Sequence, residues 1–157
     1  MTVVVSTRTE PVTRPLSPPF QSMTVTVRRL RTPEWEGARD AAQAILRDDG
    51  KLLPLLMEHE LLPDGGVKAL RHMREKSPLQ YAVFLSGIGL WLTAVECALV
   101  GLISWEGVVD EGTRKPAPIT REVLQVLLLD DRMSDQLMNI LTEAARLLIV
   151  EGKPSGA

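Results

Sequence analysis

The residue types that ordinarily carry chemistry are few in this chain, and they do not converge. His59 lies in Met57-Glu58-His59-Glu60 and His72 in Arg71-His72-Met73. Neither belongs to an H-E-x-x-H pair and no cysteine lies nearby, so both read as surface histidines of short helices. The single cysteine, Cys97, rules out an internal disulfide framework and a cysteine-rich zinc site. Among Ala94, Val95, Ala98 and Leu99 it reads as a buried thiol acting as a small hydrophobe. A nucleophilic thiol needs a base and an electropositive setting, and its neighbour in sequence is Glu96. Carboxylates pair at Asp48-Asp49, Asp110-Glu111 and Asp130-Asp131. None of these pairs brings the second partner that would define an acid–base site. Ser86-Gly87-Ile88-Gly89 and Asp64-Gly65-Gly66 lack the spacing of a phosphate loop. The expectation is a protein that is not an enzyme and uses no cofactor or metal.

Charge adds little. Lys and Arg number 18 against 20 Asp and Glu, for a formal net charge of −2, which gives no global attraction to nucleic acid or anionic lipid. Arg28, Arg29 and Arg31 could meet an acidic partner. No aromatic residues interleave with them, and a solvated edge strand with protective charge explains them equally well. Lys68, Arg71, Arg74 and Lys76 read as the solvated face of a helix. Aromatics make up 4% of the chain, and the apolar content comes mainly from Leu, Val, Ala, Ile and Met. Leu, Ala and Met favour helix. The composition therefore points to a soluble, mostly helical, cytoplasmic protein.

The elements that must position these residues follow from local signals. Residues 1–23 carry four prolines between Pro11 and Pro19 and read as an extended or disordered arm, without the basic and apolar regions of a secretory signal. Thr2 to Thr7 could form a short strand. Thr24-Val25-Thr26-Val27-Arg28 alternates with period two and suits another, although Met23 could equally be an internal start. Thr32-Pro33-Glu34 opens a helix that Asp48-Asp49-Gly50 closes. Leu52 to Leu62 is a short apolar stretch interrupted by Pro54 and stopped by Pro63. Asp64 can cap a helix from about Val67 to Lys76, Thr120 opens another, and Ser134 caps the last, lined by Leu137, Ile140, Leu141, Ala144 and Leu148. Residues 151–157 read as a flexible tail. The predicted fold class is all-α, with five to six helices of residues 24–150 around a central apolar helix, an extended N-terminal arm and room for one short strand.

Residues 79–104, LQYAVFLSGIGLWLTAVECALVGLIS, are the apolar centre of that scheme. Their length admits a transmembrane span. Against it stand Glu96, which on insertion scales costs up to about 2.5–3.5 kcal/mol when ionised, and the glycines and hydroxyls that dilute the run. The amphipathic helices on either side would also lose the element they cover. We therefore read a core helix, or two broken near Ser86-Gly87-Ile88-Gly89, and expect no membrane partner.

The stretch that follows is the most distinctive. Trp105, Gly107, Val108, Asp110 and Glu111 are followed by Lys115, Pro116, Pro118 and Thr120. They describe a helix exit through an amphipathic tryptophan, a glycine turn, a short extended piece and a proline-held loop ahead of a capped helix. Trp105 and the valines would close the bottom of the core. In this order the residues resemble the tail assembly chaperones of long-tailed bacteriophages, in which Trp-x-Gly-Val, acids, glycine, Lys-Pro-x-Pro and a capped helix follow an apolar helix. The motif covers about residues 103–129, and the layout about 24–150. Here Gly112-Thr113-Arg114 intervene before Lys115, where the family more usually runs directly from glycine to lysine.

The resemblance implies a non-catalytic helical protein that coats apolar helices of the tape measure protein before the tail tube polymerises. It makes Trp105, Gly107, Val108, Asp110, Glu111, Pro116 and Pro118 the candidate motif and partner-binding residues. The implied partner is the tape measure protein or another helical phage protein. A homo-oligomer is left open, and no nucleic-acid partner is expected. Leucine-rich, methionine-containing faces (Met57, Met73, Met133, Met138) suit adaptable helix-in-groove contacts, though ordinary core packing explains them too. The other readings are a virion structural or connector protein and a single-span membrane protein using residues 79–104.

Overall fold

The computed structural model describes residues 2, 3, 10–145, 149 and 150. In chain order the elements are β1 (Thr2–Val3), β2 (Val12–Pro15), β3 (Thr24–Val27), α1 (Thr32–Leu46), α2 (Asp49–Glu58), α3 (Gly66–Lys76) and α4 (Pro78–Gly101). They continue with β4 (Leu102–Glu106), α5 (Arg121–Leu127), α6 (Asp131–Ala145) and β5 (Ile149–Val150).

Helix α4 is one continuous helix of 24 residues, with no break at the Ser86–Gly89 cluster. Proline at its start needs no amide partner there. Its buried residues, from Ile88 through Trp91, Leu92, Ala94, Val95, Cys97 and Ala98 to Gly101, all lie in its C-terminal part. Helices α1, α3, α5 and α6 pack against it. The expected core helix is thus most deeply buried in its C-terminal part, while Tyr81, Phe84 and Leu85 of its first half pack partly buried against the core.

Local signals start most of the helices close to where the sequence places them, with physical corrections. The Arg31 N–H donates to Glu34 Oε1 at 3.1 Å, so the acid in the first turn of α1 satisfies an amide the helix leaves open. Helix α1 ends just before Asp48, whose N–H donates to the Ile45 carbonyl at 3.1 Å, and the same residue caps α2 by accepting from the Gly50 N–H at 3.0 Å. Pro54 sits inside α2 without ending it. The third helix begins after Gly65, whose φ of 94° only glycine adopts cheaply, and no side chain caps it, Asp64 included. Thr120 caps α5 as its type suggests, accepting from the Val123 N–H at 3.3 Å. Helix α6 starts at Asp131 rather than at Ser134, because Asp130 Oδ1 accepts from the Arg132 N–H at 3.0 Å one turn earlier. Leu148 lies outside the described residues.

The all-α expectation is overturned. A three-stranded antiparallel sheet in the order β2-β3-β4 closes one end of the helical core, so the fold is mixed α/β. Val25 and Val27 are fully buried while Thr24 and Thr26 are half-buried, which is the alternation of a strand with one face on the core. Strand β4 pairs with β3 through Val25↔Trp105 and Thr26↔Ser104. Its first residues, Leu102 and Ile103, continue the apolar run of the helix, so sequence alone merged them with it. The switch occurs at Gly101. A Cβ there would stand 2.5 Å from Leu141 Cδ2 and 3.4 Å from Leu30 Cδ2, and its carbonyl accepts from the Arg28 N–H at 2.9 Å.

Within the expected arm, Val12–Pro15 form an edge strand on β3, the position in a sheet that tolerates proline. Leu16 and Met23 are buried in the core. Gln136 of α6 ties this segment down, accepting from the Ser17 N–H at 2.7 Å and donating to its carbonyl at 3.1 Å. Thr2 and Val3 pair antiparallel with Val150 and Ile149. Residues 1, 4–9 and 151–157, which include part of the arm and all of the tail, lie outside the described residues.

Candidate functional site

The motif residues come together in one loop, held largely by its own backbone. The indole Nε1 of Trp105 donates to the Ala117 carbonyl at 2.8 Å. The Ala117 N–H returns to the Val108 carbonyl at 2.9 Å, and the Asp110 N–H to the Lys115 carbonyl at 2.8 Å. Val109 and Pro116 form an antiparallel bridge. Pro116 and Pro118 are exposed on either side of buried Ala117. Gly107 turns the chain at φ 85°, and a Cβ there would collide with the backbone carbonyl of Ser22. Asp110 Oδ1 accepts from the Thr113 N–H at 2.8 Å, and that bond holds its carboxyl below the usual carboxylate range. Glu111 is exposed. Trp105, Gly107, Val108, Asp110 and the residues around the prolines therefore each have an internal task in shaping the loop. Among the motif residues named for partner binding, Gly107, Asp110, Glu111, Pro116 and Pro118 are exposed, and Trp105 and Val108 are half-buried.

A second surface has no such internal task. Before Ile88, helix α4 stands clear of the core on one side. Leu79 is 80% exposed, Val83 66% and Leu90 73%. With exposed Ser86 between them, these positions are spaced four, three and four apart. At about 100° per residue they fall within one narrow stripe, and exposed Ala82 and Gly87 border it. Fully burying a leucine or valine side chain is worth about 1.5–3 kcal/mol, so the stripe leaves favourable apolar burial unused. A Cβ added at Gly87 meets no atom within 4 Å, so open space surrounds the middle of the stripe.

Leu90 forms a ridge between two grooves. One is lined by Ala82, Ser86, Gly89 and Thr93 of α4, with Arg39, Gln43, Leu46 and Arg47 of α1. The other is lined by Gly87, Ile88 and Trp91, with Leu61, Leu128, Leu129, Asp131, Ser134 and Asp135. The stripe thus has a cationic flank and an anionic flank. The floor of the second groove is fixed by Trp91, whose Nε1 donates to the Gln125 carbonyl at 3.1 Å.

The remaining titratable groups serve the fold. Glu96 of α4 takes a two-pronged contact from Arg121 of α5 at 2.9 and 3.0 Å. Arg28 and Glu34 form a forked pair across the start of α1; the Arg28 guanidinium holds the Glu34 carboxyl below its ordinary range. Burial pushes the Cys97 thiol up to about 11, the opposite of an activated nucleophile. His59 is not a surface histidine: its ring meets Trp91 edge-on at 5.3 Å, and its Nε2 is buried without a hydrogen-bond partner. His72 is exposed, as expected. Among the described residues no three His, Cys, Asp or Glu side chains are grouped to hold a metal ion.

Sequence reasoning missed the stripe on α4. Its four-three-four spacing is visible in Leu79, Val83, Ser86 and Leu90. The opposite face of the helix is equally apolar, however, so periodicity could not single out the uncovered side. No protein-family model, curated protein or solved structure matches the chain.

Proposed function

We propose that this protein is a non-catalytic assembly chaperone of a long-tailed bacteriophage, holding apolar helices of the tape measure protein in the host cytoplasm until the tail tube polymerises. The observation that carries the reading is the uncovered apolar stripe Leu79-Val83-Leu90 on α4. A helix with apolar residues at three- and four-residue spacing can lay its own stripe there, in the helix-in-groove manner. The order of residues from Trp105 to Thr120 supports the same reading through its resemblance to those chaperones. On this account the Trp105 loop is scaffold: it holds the sheet end of the molecule while α4 does the binding. No cofactor, metal or nucleic acid takes part.

The test is co-expression with the tape measure protein encoded in the same genome. The wild-type chain is expected to raise the soluble fraction of that client several-fold and to co-purify with it. A Val83→Glu/Leu90→Glu variant, altered only at exposed positions, is expected to lose both effects while keeping its helical circular dichroism. A client whose solubility is the same with the wild-type chain, the variant or neither would overturn the reading.

The same apolar surface has a competing use. Helix α4 is long and apolar enough to cross a membrane. Recovery of the chain in the membrane fraction, released only by detergent, would replace the chaperone reading with that one.

A further inference from the structure

The charges that flank the α4 stripe are arranged so that the face complements itself. Helices α1 and α4 run antiparallel, with Gly89 lying against Leu46 and Gln43, and Arg39 acting on Cys97 further along α4. Arg47 therefore stands beside the part of the stripe around Ala82 and Ser86, which share its groove. On the other side Asp131 and Asp135 stand beside Gly87 and Trp91, at most about one helical turn higher along the axis. Arg47, Asp131 and Asp135 are all exposed, and among the described residues none of the three forms an ion pair within the chain. A two-fold axis running along α4 turns the cationic flank of one copy onto the anionic flank of the other. A two-fold axis across α4 instead sets like charges against each other.

We infer that a second copy of this chain docks on the stripe, with the two α4 helices parallel and their equivalent residues in register. Leu79, Val83, Ser86 and Leu90 then meet their own counterparts at the seam, with the heptad spacing of a parallel two-helix pair. Ser86, the one polar member, favours the in-register alignment because any axial slip sets its hydroxyl against leucine or valine. Open space around Gly87 lets the two backbones approach. Arg47 of each copy faces Asp131 and Asp135 of the partner, so charge selects the parallel arrangement over the antiparallel one. The inference stands on this geometry and does not require the phage reading. Where both hold, client helix and second copy compete for one face.

Sedimentation equilibrium of the purified full chain, without client, tests it. A monomer–dimer equilibrium with a micromolar or tighter Kd is expected. Gly87→Trp, which adds bulk beside the seam at a position where a Cβ meets no atom within 4 Å, is expected to leave only monomer. Arg47→Glu and Asp135→Arg are each expected to weaken the dimer about tenfold, and the double reversal to restore at least half of that loss. A wild-type chain that stays monomeric at 100 µM, a dimer indifferent to Gly87→Trp, or an Arg47→Glu dimer that tightens would each overturn the proposal. A monomer that still solubilises the tape measure protein would remove the dimer and leave the chaperone reading standing.

Discussion

At the residue scale, side chains that look functional in the sequence turn out to be devices of local geometry. Trp105 spends its one donor on the Ala117 carbonyl, and the aspartate of the Asp110-Glu111 pair spends an oxygen on the Thr113 amide. Gly107 is the clearest case, because its requirement is double. It adopts φ 85°, and its α-carbon lies so close to strand β3's approach that an added Cβ would stand 2.9 Å from the Ser22 carbonyl carbon. Gly107→Ala is expected to lower stability by about 2–4 kcal/mol, combining the left-handed penalty with backbone displacement. Urea denaturation reads this directly; a loss under 0.5 kcal/mol would show that the turn relaxes. Cys97 illustrates the converse, a reactive residue type made inert by burial.

At the element scale, α4 combines two roles that a sequence presents as one. Its second half is wrapped by α1, α5 and α6, and its first half extends beyond them with one side uncovered. Gly87 lies in that first half, exposed and with no neighbour around a notional Cβ. Gly87→Ala is therefore expected to raise stability by about 0.5–1 kcal/mol through helix propensity alone, seen as a higher urea midpoint at low protein concentration. A decrease would mean that the helix needs glycine there. The helical elements were legible in the sequence because Thr32-Pro33-Glu34, Ser77-Pro78 and Thr120 announce helix starts in local chemistry. Strand β3 was legible from the alternation of Thr24 to Val27. Strand β4 was not, because Gly101 is one of several glycines in an apolar run, and what sets it apart is tertiary, the close approach of Leu30 and Leu141. Strand β2 was hidden by Pro15, which an edge position accepts, and by the prolines on either side of it. The candidate loop was legible as a motif but not as a scaffold, since its partners at Ser22 and Ala117 are tertiary. The docking stripe was illegible for the reason that makes α4 apolar throughout: coverage is decided by other helices.

At the scale of the whole molecule, a sheet closes one end of a helical core, and the apolar helix that threads the core emerges partly uncovered toward the other. Burial is deepest in the C-terminal part of α4, which packs against α1, α5 and α6, while Leu79, Val83 and Leu90 are left exposed among the described residues. Leaving that surface in water is unfavourable, and we assign its cover to an apolar helix, of a client or of a second copy. The grooves beside Leu90 carry opposite charge, which gives the surface a preferred orientation as well as an affinity. The most direct measurement is amide hydrogen exchange of the chain alone and in complex with the co-expressed tape measure protein. The account predicts strong added protection over residues 79–90 and on the groove-lining turns near Arg47 and Asp131, with the loop from Trp105 to Pro118 unchanged. Protection confined to that loop, with residues 79–90 exchanging as freely as before, would contradict it.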